Sequence, residues 1–251
     1  MSAAAPELPY SEDTLLGGRV KLRQPRQGYR AAIDPVLLAA AVPASAVDSV
    51  LDIGCGVGAA ALCLATRVAG CRVTGIEAQR ELVRLAGDNV MLNDLFGRVV
   101  LMVGDLLRPP PRLAPSGFTH VMANPPYLDA AGSTASPDAG KAAATVEGEA
   151  DIGAWVQFAL AMVRPKGSIT FIHRADRMEQ LLAQLSGRAG EIVVFPLWAG
   201  QDKPAKRIVV RARKGVSTPT RLMPGLVLHE ADGRYTPAAD AVLRGGSGLV
   251  F

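Results

Sequence analysis

The sequence predicts an α/β fold: a mainly parallel sheet of seven strands with helices on both faces and an antiparallel hairpin at its C-terminal end. Three observations carry this. Short β-branched or apolar runs recur from residue 50 onward and alternate with helix-length stretches. Glycines crowd the first strand-to-helix turn, at Gly54, Gly56 and Gly58. The last two strand-like runs, 192–197 and 207–211, follow one another with no helix between them and read as a hairpin.

Residues 1–14 are small and polar and read as a disordered start. Residues 15–47 form a basic N-terminal cap segment, in which Arg19, Lys21, Arg23, Arg26 and Arg30 occur without one acid between 17 and 30. Asp34 followed by Pro35 marks a helix start running through Ala41, with Asp34 as its cap. The sheet unit occupies 48–215. Its strands are expected at 50–53, 72–77, 99–103, 118–123, 168–172, 192–197 and 207–211. Helices are expected through Val68, over 79–93, 151–163 and 176–187, lengths that suit right-handed crossovers between parallel strands. The segment 129–150, rich in Ala, Gly, Ser and Thr, is long for a connection and reads as a mobile binding loop. Residues 216–251 are a C-terminal extension with a short β-like tail at 224–235.

Composition limits the function classes. No apolar run approaches the roughly 20 residues that span a bilayer, and Met1 to Pro6 lack the basic and apolar segments of a secretory signal, so a soluble, cytoplasmic protein is expected. Cys55, Cys63 and Cys71 form no C-x-x-C pair and have no nearby His, which argues against a zinc site or disulfide framework; no metal is expected. A net charge of +4 favours an anionic partner.

Residues 50–58 read V-L-D-I-G-C-G-V-G, with the glycines directly after a strand and before a helix. Such a turn lets backbone approach a ligand and points free helix amides at it. The spacing is not the G-x-G-x-x-G of a dinucleotide site, and Asp52 precedes the glycines, where a carboxylate repels a pyrophosphate but suits a cationic or amino-bearing ligand. Glu77 ends the second strand, where an acid can accept from both ribose hydroxyls. Asp105, after the third, can accept from an exocyclic amine. Asp52, Gly54, Gly56, Gly58, Glu77, Asp105 and Asn124 are the candidate cofactor-binding residues.

The fourth strand runs into Asn124-Pro125-Pro126-Tyr127, the candidate catalytic tetrapeptide. An exocyclic amine on a base, or a carboxamide nitrogen, is a poor nucleophile because its lone pair is delocalised. Asn124 Oδ1 and the Pro125 carbonyl can both accept from it and favour the pyramidal transition state. The two prolines fix successive φ angles, and Tyr127 offers a ring face to a planar acceptor. No strong base is required, because the nitrogen becomes acidic once it has bonded to an electrophile.

These motifs resemble the class I S-adenosylmethionine-dependent methyltransferases of Rossmann-like fold, and among them the Asn-Pro-Pro-Tyr amino-methyltransferases. Gly28-Tyr29-Arg30, Asp34, Leu37-Leu38 and the run Val146 to Asp151 are similar to the bacterial tRNA1(Val) adenine-N(6) methyltransferases over about residues 13–235. The resemblance implies S-adenosyl-L-methionine as cofactor and, as acceptor, the adenosine just 3′ of the anticodon of a valine tRNA. Two basic clusters agree with an RNA partner: the N-terminal one, and Lys203, Lys206, Arg207, Arg211, Arg213 and Lys214. Tyr29, Arg30, Lys203, Lys206 and Arg207 are the candidate substrate contacts. The tetrapeptide by itself leaves open a protein glutamine N(5)-methyltransferase and an rRNA guanine-N(2) methyltransferase. A binding module that keeps the pocket without its chemistry is disfavoured by intact Asn124 and Tyr127.

Overall fold

The computed structural model describes residues 9–27, 30–127 and 150–251. Strands β3 (Ser49–Ile53), β4 (Arg72–Glu77), β5 (Val99–Val103), β6 (Phe118–Ala123), β7 (Val163–Arg174), β8 (Ala189–Trp198) and β9 (Ala205–Lys214) form the body of a sheet. Two-residue strands β10 (Arg221–Leu222) and β11 (Leu226–Val227) add to β8 at its edge. The order is β10-β8-β9-β7-β6-β3-β4-β5. Strands β3 to β7 pair in parallel, and β9 lies antiparallel between β7 and β8. This is the expected sheet with its terminal hairpin.

Helices cover both faces because every central strand buries side chains on both sides. On one face α1 (Asp34–Ala41), α2 (Ala59–Arg67), α3 (Arg80–Leu92) and α6 (Pro237–Leu243) contribute to a continuous core that includes Leu37, Leu62, Val90 and Val242. On the other, α4 (Ile152–Met162) and α5 (Met178–Leu185) pack through Val156, Phe158, Leu181 and Leu185. The C-terminal residues join the first core, with Leu226, Leu228 and Leu243 buried in it. Cys63 and Cys71 are buried in the same core as small hydrophobes, and burial pushes the Cys63 thiol up to about 12.

The N-terminus departs from expectation. Residues 10–14, read as part of a disordered start, form β1 (Tyr10–Leu15), which pairs antiparallel with β2 (Val20–Pro25). The run Val20-Lys21-Leu22-Arg23-Gln24 alternates at period two, so Val20, Leu22 and Gln24 are buried while Lys21 and Arg23 point outward. The basic cluster is therefore largely one face of a strand. Its members are held locally: Arg23 pairs with Glu12 at 3.0 Å, Arg26 Nε donates to the Tyr10 carbonyl, and Arg19 donates to the carbonyls of Leu16 and Arg244.

Two asparagines of α3 fasten this hairpin to the sheet unit. Asn89 is fully buried; its Oδ1 accepts from Arg23 N at 2.7 Å, and its Nδ2 donates to the carbonyls of Arg23 and Val57. Asn93 repeats the pattern one turn later on Lys21. Since an unpaired buried carboxamide is costly, these bonds fix where the hairpin sits.

Candidate active site

The parallel strands β3, β4, β5 and β6 all end on one edge of the sheet, and a cavity of about 520 Å3 opens there. The glycine turn forms its floor. Gly54, Gly56 and Gly58 have φ of 67°, 54° and 85°, a region that costs a side-chain-bearing residue strain. Gly54 also has no room for one: an added Cβ would lie 2.6 Å from Trp155 Cη2, because the indole of α4 stands against the turn and lines the same cavity. Sequence reasoning did not single out Trp155. Its only signal was an aromatic at the fourth position of a helix that follows the catalytic loop.

Asp52 is 2% exposed, on β3 directly beneath the turn. Burial pushes its carboxyl up to about 8; the backbone N–H of Ala61 works against this and the Glu77 charge adds to it. Its Oδ2 has no hydrogen-bond partner among the described residues. Glu77, at the end of β4, accepts from Gly56 N at 3.1 Å through one oxygen and from Gln79 N at 2.8 Å through the other. Burial raises its carboxyl as well, against the pull of those N–H groups. A buried carboxylate with an unmatched oxygen, a second acid beside it and an apolar wall is a demand for a ligand that is cationic at one end and carries hydroxyls at the other. S-adenosyl-L-methionine meets this demand, and Asp52 and Glu77 are the residues that could hold its amino-acid end and its ribose.

Asp105 follows Gly104 on the far rim and also lines the cavity. One of its oxygens accepts from Leu107 N at 2.9 Å, and the other stands 3.5 Å from the Arg108 guanidinium. The N-terminal segment closes the near rim through Pro25, Gln27, Ala31 and Pro35.

Asn124, Pro125, Pro126 and Tyr127 leave the end of β6 and line the same cavity as Asp52 and Glu77. The Tyr127 hydroxyl lies 2.5 Å from Asn124 Oδ1 and 2.7 Å from Asp34 Oδ2. Here a second expectation is corrected. Asp34 does not cap α1, whose N-cap is Ile33 with no side-chain bond; its carboxylate turns instead to Tyr127 and to Arg207, whose Nε is 3.1 Å away. A strong local signal, Asp before Pro, yields to a partner 173 residues distant.

Arg207 is thereby held half-buried beside the tetrapeptide. Its guanidinium stands over the Tyr127 ring, 4.3 Å from the centroid. His173, at the end of β7, lies 5.6 Å from the same ring. Its Nδ1 accepts from Arg174 N, and burial, reinforced by Arg177 and Arg207, lowers it to about 4. Because β7 runs parallel to β6, His173 and Arg174 do lie at the catalytic edge.

The remaining candidate contacts separate. Lys203 and Lys206 are exposed in and beside the β8–β9 turn, and Arg207 pairs with Arg174 in register, so the turn stands at the catalytic edge. Arg211, Arg213 and Lys214 run down β9 toward the other end. There Arg211 covers Phe251 at 4.0 Å, Arg213 pairs with Glu191, and Lys214 donates to the Val163 carbonyl. Arg30 is drawn into the hairpin by Asp13 at 2.7 Å and Ser11. Tyr29 and the expected mobile loop, apart from Ala150, lie outside the described residues. Among the described residues no three His, Cys, Asp or Glu side chains gather as metal ligands would, and no helix is long and apolar enough to cross a membrane.

Comparison with known proteins agrees with this geometry. Residues 32–142 match the methyltransferase small domain. A tRNA1(Val) (adenine(37)-N6)-methyltransferase of Porphyromonas gingivalis is 28% identical over 222 residues, covering 83% of this chain and 84% of that one. Its counterpart in Tolumonas auensis is 26% identical over 85% of this chain and 88% of its own length. Among solved structures, a predicted O-methyltransferase from Agrobacterium tumefaciens superposes with a TM-score of 0.71 at 24% identity, over 86% of this chain and 98% of that one. A tRNA (m1A58) methyltransferase from Aquifex aeolicus gives a TM-score of 0.56 at 16% identity, over 78% and 73%. With the sheet order, the carboxylate-lined glycine turn and the matching domain together, the chain has the fold of the class I methyltransferases and is an S-adenosylmethionine-dependent methyltransferase.

Proposed function

We propose that this chain transfers a methyl group to the exocyclic N(6) amine of an adenosine in tRNA, in the anticodon loop of a valine tRNA. The observation that carries the reading is that Asn124 and Tyr127 line one cavity with Asp52 and Glu77. An amine-binding tetrapeptide and a cofactor site thus share a single space. The names borne by relatives that align with more than four-fifths of the chain point to adenosine and to tRNA.

Bound in the cavity, S-adenosylmethionine supplies an electrophilic methyl on a sulfonium. The protein's own contribution is positional and electrostatic. Asn124 Oδ1 and the Pro125 carbonyl accept the two amine hydrogens, which pulls the nitrogen out of conjugation and aims its lone pair. The Tyr127 ring offers an aromatic surface to the base, with Arg207 backing it. Trp155 and the N-terminal rim exclude water from the cofactor. The surplus proton leaves from a cationic nitrogen, so solvent suffices as its acceptor. Lys203 and Lys206 stand on the rim where phosphates flanking a splayed-out nucleotide would run, and a cytoplasmic location accords with such a substrate.

The test is transfer of isotopically labelled methyl to unmodified bulk tRNA, with digestion to nucleosides and mass spectrometry. Labelled N(6)-methyladenosine is expected. Asn124→Ala should lower the rate about 100-fold or more while cofactor affinity stays within about twofold. Label appearing only in rRNA guanosine or in protein glutamine refutes the adenosine reading.

A further inference from the structure

Two buried side-chain polar atoms of the cofactor cavity's lining residues, Asp52 Oδ2 and Trp155 Nε1, have no hydrogen-bond partner among the described residues. An atom cut off from water and left unpaired is costly, so each demands a partner that the protein does not supply. The two demands are opposite in kind. An indole nitrogen only donates and a carboxylate oxygen accepts, yet they do not satisfy each other. Both belong to the same end of the cavity. The six-membered ring of Trp155 stands against Gly54, two residues after Asp52, and its helix shares a core with Val121 and Ala123 of β6. In the strand order β6-β3-β4-β5, Glu77 ends β4 and Asp105 follows β5, one and two strands beyond Asp52, or about 5 and 10 Å at the spacing of paired strands.

The described lining of the cavity contains the acids Asp52, Glu77 and Asp105 but no Lys or Arg side chain. The carboxylate of an amino-acid ligand must therefore be met there by neutral donors, on the side away from Glu77 and Asp105. We infer that Trp155 is a further cofactor-binding residue, whose indole N–H donates to the carboxylate at the amino-acid end of S-adenosylmethionine while Asp52 Oδ2 accepts from the ammonium. One zwitterion thus satisfies both unpaired atoms. Because the indole carries no charge, it leaves Asp52 to the ammonium, which a lysine in its place would displace. Neither atom reaches solvent, so both bonds form as the ligand seats against the wall. The inference rests on Asp52 serving the amino-acid end and is independent of which nitrogen accepts the methyl group.

The test uses S-adenosylhomocysteine, which has the same amino-acid end and does not react, and its decarboxylated analogue, which keeps the amine. The chain has two tryptophans, and 15N-labelled protein gives one indole N–H signal for each. Trp198 already donates to the Pro224 carbonyl at 2.9 Å and serves as the reference. The Trp155 signal is assigned by its loss in Trp155→Phe or, should that variant fold poorly, by elimination in Trp198→Phe. S-adenosylhomocysteine should move the Trp155 proton downfield as the bond forms, and the decarboxylated analogue should move it far less. Equal movement with both ligands, or none with either, overturns the inference. In calorimetric titration Trp155→Phe should weaken S-adenosylhomocysteine about tenfold and the decarboxylated analogue less than about twofold. Equal losses for the two ligands would mean that the indole acts through its shape alone, and refute the bond. Asp52→Asn should weaken both ligands alike, because both carry the amine. A loss confined to the ligand with the carboxylate would instead sink the reading of Asp52, and the indole shift would still decide Trp155. A wild-type protein that binds neither ligand removes the cofactor site and this inference with it.

Discussion

Replacing Asp52 by Asn separates what the cofactor site costs the fold from what it contributes to binding. Burial holds the Asp52 carboxyl at about 8 against an ordinary 3.8. An acid whose folded-state pKa lies above its unfolded value binds its proton more tightly when folded. Its contribution is therefore greatest in acid and is lost as pH climbs from about 4 to about 8. At about 1.4 kcal/mol per pH unit, the ligand-free wild type loses about 4 kcal/mol from this group between pH 5 and pH 8. Asp52→Asn keeps the shape and cannot ionise. The assay is urea unfolding of both proteins without cofactor across that range. The difference in unfolding free energy, variant minus wild type, should grow by about 4 kcal/mol from pH 5 to pH 8, whatever fixed offset the new NH2 group brings. Adding saturating S-adenosylmethionine should stabilise the wild type far more than the variant, whose affinity should fall at least about tenfold. A stability difference that is flat in pH refutes the argument, for it means Asp52 ionises in the folded protein as freely as in water.

Other perturbations probe the remaining parts. Gly54→Ala drives a Cβ to 2.6 Å from the Trp155 ring at a φ of 67°, and it should cost about 1–3 kcal/mol in unfolding free energy and weaken cofactor binding in calorimetric titration; unchanged stability would show that Trp155 yields freely. Lys203→Ala with Lys206→Ala should raise KM for tRNA, leave kcat alone and lower the slope of log affinity against log salt by about 2. An unchanged slope would move the RNA path to another surface. Asn89→Ala strips three hydrogen bonds from a fully buried position and should cost about 2–4 kcal/mol, with accelerated hydrogen exchange in β1 and β2; exchange unchanged there would mean that side-chain packing alone docks the hairpin.

How far these features could be read from the chain depends on how local their causes are. The strands of the sheet announce themselves through short β-branched or apolar runs, such as Val99 to Val103 in β5 and Ile208 to Val210 in β9, and the glycine turn through spacing alone. Strand β2 carries an equally local signal, Val20 and Leu22 alternating with Lys21 and Arg23, but its outward charges read as an electrostatic cluster. Strand β1, with Ser11, Glu12, Asp13 and Thr14, has too few apolar residues to signal anything before its partner is known. Helix α6 is announced only by Thr236 before Pro237, and that cap is realised, with Thr236 Oγ1 accepting from Ala239 N. Asp34 illustrates the opposite limit: its local context specifies a cap, and only the return of β9 supplies the stronger partner. Lys203 and Lys206 stand out from the other C-terminal bases because strand direction, rather than composition, sets which end of β9 meets the catalytic edge.

The ion pair between Asp34 and Arg207 also bears on when the enzyme becomes competent during its synthesis. Loop closure over 173 residues is entropically expensive and cannot nucleate folding, so this contact forms after the central strands have paired. A nascent chain can build the glycine turn and the buried carboxylates once β3 to β6 and the helix carrying Trp155 have emerged from the ribosome. The acceptor half of the site must wait until β9 has emerged and the N-terminal segment has swung back to meet it. Cofactor capture and methyl transfer thus mature at different chain lengths, and a translation product that stops before residue 207 holds a methyl donor site with no ordered place for the group that would receive it.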